Sequence, residues 1–203
     1  AKNTTPVSVG GDVAFNVTWL DIDSNNFNVT ICEEILTEED QSSQTSDTYL
    51  MFGGKPAWVY SNRTGYRADT ISIKIDKFEE NSVIYSGERN TTKNIYDVYV
   101  YSVGNKGDTT GTLITEEHDI SLTTGKYTKI KLGNAQAMTG EYLGFKICVD
   151  SNNDGTCDET SDNWAYSPAN TTGAYVAVNA SGTTVYDPAI KINYKPISGV
   201  SCF

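Results

Sequence analysis

The sequence predicts an all-β fold, a two-sheet β-sandwich of jelly-roll-like type with an N-terminal strand available for donation. Three observations carry this. Short runs alternate apolar and polar residues, as Ile71, Ile73 and Ile75 do against Ser72, Lys74 and Asp76, the period of a strand with one wet face. Turn residues separate the runs at the intervals of sandwiches and jelly rolls. Helical periodicity is confined to one short segment.

In chain order the expected strands are 13–20, 27–32, 48–52, 57–60, 70–76, 82–86, 95–103, 118–122, 126–132, 142–149, 174–179 and 189–194. Most are rich in Val, Ile, Tyr, Phe or Thr, the residues that fit a pleated, half-buried surface. Residues 33–41, "EEILTEEDQ", have a helical pattern without a second apolar turn. The 203 residues suffice for one large β domain. No linker and no fixed-period repeat interrupts them. The expected organisation is a donor strand and hinge over 1–12, then a single sandwich over 13–203.

Net charge is −11 with one histidine, His118. A chain this acidic lacks the basic face that nucleic acid requires, and it does not adhere electrostatically to anionic lipid. No apolar run approaches the ~20 residues that span a bilayer. The polar beginning, "AKNTTPVSVGG", has neither a signal-peptide pattern nor the apolar helix of a type IV pilin. It reads as the mature form of an exported protein, or as one never exported.

The four cysteines show no zinc-type spacing. Of the three possible pairings, Cys148–Cys157 with Cys32–Cys202 is expected. The first closes a short loop across a hairpin, and the second ties the C-terminal region to an early strand. Such bonds imply an oxidising compartment, or a hyperthermophile, where that rule fails.

Residues 147–159 read "ICVDSNNDGTCDE". Asp150, Asn152 and Asp154 stand at positions 1, 3 and 5 of a calcium-loop template, with Gly155 at the sharp turn in position 6. Thr156 offers its carbonyl at position 7, and Asp158 stands at position 9. Position 12 is Ser161 where an EF-hand has a bidentate glutamate, so Glu159 or Asp162 would complete the set. Hard oxygen donors in this pattern suit Ca²⁺. The competing reading is a plain hairpin tip, because Asn, Asp and Gly are turn formers. A second cluster, Asp21 and Asp23, lacks the glycine.

Seven Asn-x-Ser/Thr triplets, at Asn3, Asn16, Asn28, Asn62, Asn90, Asn170 and Asn179, are glycosylation candidates for an exported chain. Signs of catalysis are few. His118 has no G-x-S-x-G elbow or phosphate loop to serve. Paired carboxylates for glycoside hydrolysis would leave no local signature. Trp19, Trp58 and Trp164 read as core residues, or as a platform for sugar.

Pro6, Val7, Ser8 and Val9 form a short extended segment detached by Gly10-Gly11 from the strand at Val13. It pairs within its own sheet, frays, or is donated to a neighbour's open edge. An all-β chain of this size with such a segment resembles the TasA-like extracellular filament subunits of archaea, which include threads, bundling pili and cannula tubes. The resemblance is one of architecture over the whole chain. It implies a non-enzymatic subunit that homopolymerises at the cell surface by donor-strand complementation. Pro6 to Val9 would be the donated strand. Calcium would be held by Asp150, Asn152, Asp154 and Asp158 and stabilise contacts between subunits. The alternative function is a secreted, calcium-stabilised carbohydrate-binding or adhesin module.

Overall fold

The computed structural model describes residues 32–33, 37–40, 48–61, 66–80, 83–85, 95–150, 152–158, 163–173, 176–197 and 201–202. The chain divides into two compact units, Ala1–Cys32 with Cys202–Phe203, and Glu33–Ser201. The expected boundary at residue 12, the donor residues Pro6 to Val9, Trp19, and the strands at 13–20 and 27–31 lie outside the described residues.

The strands are β1 (Cys32–Glu33), β2 (Thr37–Asp40), β3 (Thr48–Phe52), β4 (Ala57–Ser61), β5 (Tyr66–Lys74), β6 (Lys77–Glu80), β7 (Val83–Tyr85) and β8 (Ile95–Val103). They continue with β9 (Thr112–Ser121), β10 (Tyr127–Ala135), β11 (Tyr142–Cys148), β12 (Asn163–Ala169), β13 (Val176–Val178), β14 (Thr184–Tyr186), β15 (Ile190–Pro196) and β16 (Ser201–Cys202). The described residues contain no helix. Pairing is antiparallel within a six-stranded sheet, β14-β13-β4-β11-β8-β9, and within two four-stranded sheets, β10-β5-β15-β2 and β3-β12-β6-β7. Strands β1 and β16 form a separate pair.

The two four-stranded sheets are halves of one layer. Between β5 and β6 only Ile75 and Asp76 intervene. Lys74 still donates its N–H to the Ala189 carbonyl beside β15, whereas Asp76 donates to Tyr166 of β12. One continuous stretch therefore changes partner sheet at Asp76. A single apolar cluster draws on all three sheets, with Val59, Val98, Phe145 and Ile147 from the six-stranded one and Leu50, Phe78, Ile71, Ile73, Ile130 and Ile192 from the others. The all-β sandwich read from the sequence is what the chain forms, with one layer split. Burying each large apolar side chain stabilises the fold by ~1.5–3 kcal/mol.

The helical pattern at 33–41 gives no helix among the described residues. Thr37–Asp40 is instead a strand, in register with Tyr194 through Lys191 of β15. A segment with one apolar turn has too narrow a stripe to bury as a helix, and the open edge of β15 offers four residues of ladder. Strand β12 was not among the expected strands; its sequence, "NWAYSPA", contains Pro168, which cannot donate to a ladder. Here β6 flanks β12 only as far as Tyr166, so at Pro168 the ladder continues with β3 alone.

Candidate functional site on the outer face of the six-stranded sheet

The central strands β4, β8 and β11 send alternate side chains outward, away from the core. These carry an unusual load. β8 contributes Asp97, Tyr99 and Tyr101, β4 contributes Trp58 and Tyr60, and β11 contributes Lys146 and Cys148. Loops fold back over this face, so Asp97, Tyr99 and Asp150 are wholly withdrawn from solvent.

A β-bulge sets the first contacts. Ile120 lies opposite Tyr96 and Glu117 opposite Val98, so His118 and Asp119 together oppose Asp97. Asp119 takes the left-handed conformation, with φ 58°, as the extra residue of a bulge does. Its N–H donates to Asp97 Oδ1 over 2.9 Å. The bulge aims His118 at the same carboxylate, with Nδ1 3.2 Å from Asp97 Oδ2, while Nε2 lies 3.5 Å from Glu116. Burial lowers the His118 pKa, but Asp97 and then Glu116 outweigh it and hold the imidazole above its ordinary value. Asp97 is raised, chiefly by burial, against the Asp119 N–H and His118. An Asp–His pair invites comparison with a hydrolase. Here the second imidazole nitrogen faces the Glu116 carboxylate, and among the described residues no serine or cysteine side chain is recorded against it.

The acidic loop closes over this pair. Asp150 Oδ2 accepts hydrogen bonds from the Tyr99 hydroxyl over 2.5 Å and from the Gly155 N–H over 2.9 Å. Gly155 has φ 83°, a conformation that glycine adopts without strain. Asn153, with its amide nitrogen turned inward, donates to Asp97 Oδ2 over 3.2 Å and to the Asp150 carbonyl over 3.0 Å. Burial and the bond to Asp150 push the Tyr99 hydroxyl far above its ordinary pKa. The Cys148–Cys157 disulfide fastens the loop's ends and packs on Tyr99, which confirms the first expected pairing. Of the second pairing, only the backbone association of β1 with β16 is described.

The carboxylates do not converge in the way the calcium template expects. Asp150 faces inward to Tyr99. Asp154 faces the Thr156 N–H over 2.7 Å and the Asn152 amide over 3.0 Å. Those two contacts hold the exposed Asp154 carboxyl below its ordinary value. Lys146 supplies a cation from the sheet, its Nζ 2.7 Å from the Gly155 carbonyl and 4.9 Å from the centre of the Tyr99 ring. Burial lowers the Lys146 pKa, and Asp150 and Asp154 oppose that. Among the described residues no three Asp, Glu, His or Cys side chains are grouped to hold a metal. Asn152, Asp154 and Thr156 are exposed, Asp158 is half-buried, and Glu159 lies outside the described residues. Asp97, Tyr99 and Lys146 were missed from the sequence, although an aspartate inside the apolar strand "IYDVYVYSV" marks an unusual outward position.

Of the sequons, Asn170 is half-buried and Asn179 is buried, with its amide nitrogen 3.5 Å from the Tyr49 carbonyl. Asn3, Asn16, Asn28, Asn62 and Asn90 lie outside the described residues.

Beside the loop, Trp58 and Tyr101 form the floor of a groove of about 550 Å³. Trp58 is a buried residue, as its core reading expects; it stacks on Tyr60 under the turn at 104–111 and packs with Val103.

No protein-family model matches the chain, and no curated protein matches it. Among solved structures it is similar to the clostridial cysteine protease Cwp84 after propeptide cleavage, at 12% identity and a TM-score of 0.43, over 79% of this chain and 40% of that one. It is also similar to the cysteine protease and lectin-like domains of Cwp84, a surface layer associated protein of Clostridium difficile, at 11% identity and a TM-score of 0.37, over 70% and 32%. A third match is infectious bursal disease virus, Gx strain, at 12% identity and a TM-score of 0.28, over 93% and 43%. The chain spans less than half the length of each. At these values the likeness assigns neither family nor function.

Proposed function

We propose that this chain is a non-enzymatic structural subunit of an extracellular filament or tube, assembled from copies of itself by strand addition. The observation that supports this is the edge of the split layer. Strand β7 ends the sheet β3-β12-β6-β7, and Val83 and Ile84 on it are 50% and 61% exposed. Successive strand residues point to opposite faces, so neither face of this edge is covered. Monomeric proteins blunt such edges with charge, proline or a cover. An apolar strand with no further ladder partner among the described residues is what an added strand satisfies.

In this reading Pro6 to Val9 of one copy is the added strand. Calcium acts between acidic surfaces, where divalent charge relieves the repulsion of subunits carrying −11 each. The exposed Asn152 and Asp154, with Asp158, are the residues that would hold it, and Lys146 is its competitor at the loop.

Deletion of residues 1–12 tests the proposal. Polymers should vanish while the far-ultraviolet spectrum of the sandwich is retained. Ile84→Lys should block growth in the same way. Polymers that persist in both variants exclude strand addition at this edge.

A further inference from the structure

We propose that the outer face of the sheet β10-β5-β15-β2 is a contact surface for the acidic side of a second copy of this chain. The inference rests on the reading that copies assemble with one another, and it adds a contact that does not use the β7 edge.

The face is built by alternation. Ile71, Ile73, Ile130, Ile190 and Ile192 turn to the core, so their neighbours along each strand turn outward. Register then sets Lys129, Ser72 and Lys191 side by side across three strands, with Lys131, Thr70 and Asn193 in the next row. Lys74 lies opposite Tyr127, and beyond the irregularity at Asp69, Arg67 lies opposite Lys195. Among the described residues, six of the chain's 15 Lys and Arg thus share one face of one sheet. Three acidic residues stand with them: Asp69, 3.2 Å from Lys195, and Glu38 and Asp40 at register positions along β2. Outside this group the chain's 26 Asp and Glu leave 23, against nine Lys and Arg. A net charge of −11 argues against any basic face. This one is present because strand pairing gathers its members from as far apart as residues 67 and 195.

The arrangement costs a single subunit. Lysines two apart on β10 are rooted about 7 Å from each other, and those flanking Ser72 about 10 Å, distances that physiological salt screens only in part. Like charges so placed repel. Lys129 and Lys131 are exposed, and among the described residues no carboxylate pairs with them or with Lys74. The other side of the sandwich supplies the complement. Glu116 stands opposite Tyr99 on the outer face of the six-stranded sheet and is 45% exposed. Asp154 and Asp158 lie in the loop over that face, and of the cations there Lys146 is already held by the Gly155 carbonyl. Charges of opposite sign on opposite sides join copies head to tail, and a head-to-tail contact that does not close into a ring propagates as a filament. Ser72, Thr70 and Asn193 between the lysines offer hydrogen bonds to a second protein surface. A flexible polyanion laid along the same face would run against Asp69 and the acidic edge strand β2.

The test is zero-length carbodiimide cross-linking, which joins a lysine to a carboxylate only where the two touch. A mixture of isotope-labelled and unlabelled full chain is held at low salt in EDTA, so that no metal occupies the loop, and linked peptides are read by mass spectrometry. Links between copies, from Lys129, Lys131 or Lys191 to Glu116, Asp154 or Asp158, are expected, and they should fall away at high salt. The double variant Lys129→Glu, Lys131→Glu, at two exposed positions, should keep the fold and reduce the linked dimers at least about tenfold. Mixing it with an Asp154→Lys chain should restore them. The inference is overturned by links confined within a copy, by links that charge reversal leaves unchanged, or by a chain that retains inorganic polyphosphate on this face and shows no links between copies. Calcium-grown filaments that persist undiminished in the double variant would remove this contact and leave strand addition standing. Links between copies of a chain that never forms filaments would sustain this contact and count against strand addition.

Discussion

The Tyr99 hydroxyl donates to Asp150 over 2.5 Å, with both side chains entirely withdrawn from solvent. This bond joins the middle of the six-stranded sheet to the first residue of the acidic loop. It explains why a carboxylate with the spacing of a metal ligand is turned inward. A buried carboxylate needs partners, and Tyr99 and the Gly155 N–H provide them.

Replacing Tyr99 by Phe removes one partner and leaves Asp150 under-satisfied in a buried place. The expected cost is ~1–3 kcal/mol, read from chemical denaturation. Hydrogen exchange should quicken at residues 152–158 and stay unchanged in β5 and β15.

Stability should fall as pH rises past neutrality. His118 is held above its ordinary value, so the folded protein binds that proton more tightly than the unfolded chain does. The stabilisation is complete below the ordinary imidazole pKa of ~6.5 and is lost as pH climbs through the raised value. Asp97, also raised, acts in the same direction at lower pH. The groups facing the imidazole are Asp97 and Tyr99 from β8 and Glu116 from its own strand. Lys146, Asp150 and Asn153 stand behind them. His118→Gln should flatten the limb above pH ~6.5 in a series of denaturation curves. Because the chain has one histidine, its imidazole resonances report the titration directly. An unchanged slope contradicts the assignment.

The disulfide closes a loop of sequence separation 9, which restricts the unfolded chain by ~2–3 kcal/mol. Cys148→Ala with Cys157→Ala should lower stability by about that amount. The loss should be accompanied by faster exchange of the acidic loop, with the core sheets intact.

Gly111→Ala places a Cβ 2.2 Å from the Ser102 carbonyl oxygen. The turn must lift from β8, at a cost of ~1–3 kcal/mol as for other overpacked sites. Quenching of tryptophan fluorescence by acrylamide should rise as Trp58 loses its cover.

Much of the sandwich was legible in the sequence. Strands with strict alternation and dense Val, Ile and Tyr, such as β5, β8 and β11, were placed within a few residues. Strand β6 and the first half of β9 were not expected, and three others that were missed have a tertiary reason to be strands. β2 is held by the edge of β15, β12 tolerates Pro168 where β6 has already ended, and β14 needs β13 beside it. For the site, spacing located the acidic loop and its disulfide. What spacing could not reveal is which way each carboxylate points. That is decided by Asp97 and Tyr99, which reach the loop from strand β8, distant in the chain, and by Lys146 on β11, which leads into it. Nor could pattern alone show that Asn179 of the sequon faces inward to Tyr49.

The measurement that bears most directly on the proposed role is electron microscopy of the purified chain, dialysed into EDTA and then titrated with Ca²⁺. Self-assembly through an apolar edge, with calcium bridging acidic subunits, predicts dispersed particles in EDTA and filaments or tubes as calcium is added. Particles that remain single at every calcium concentration would contradict it.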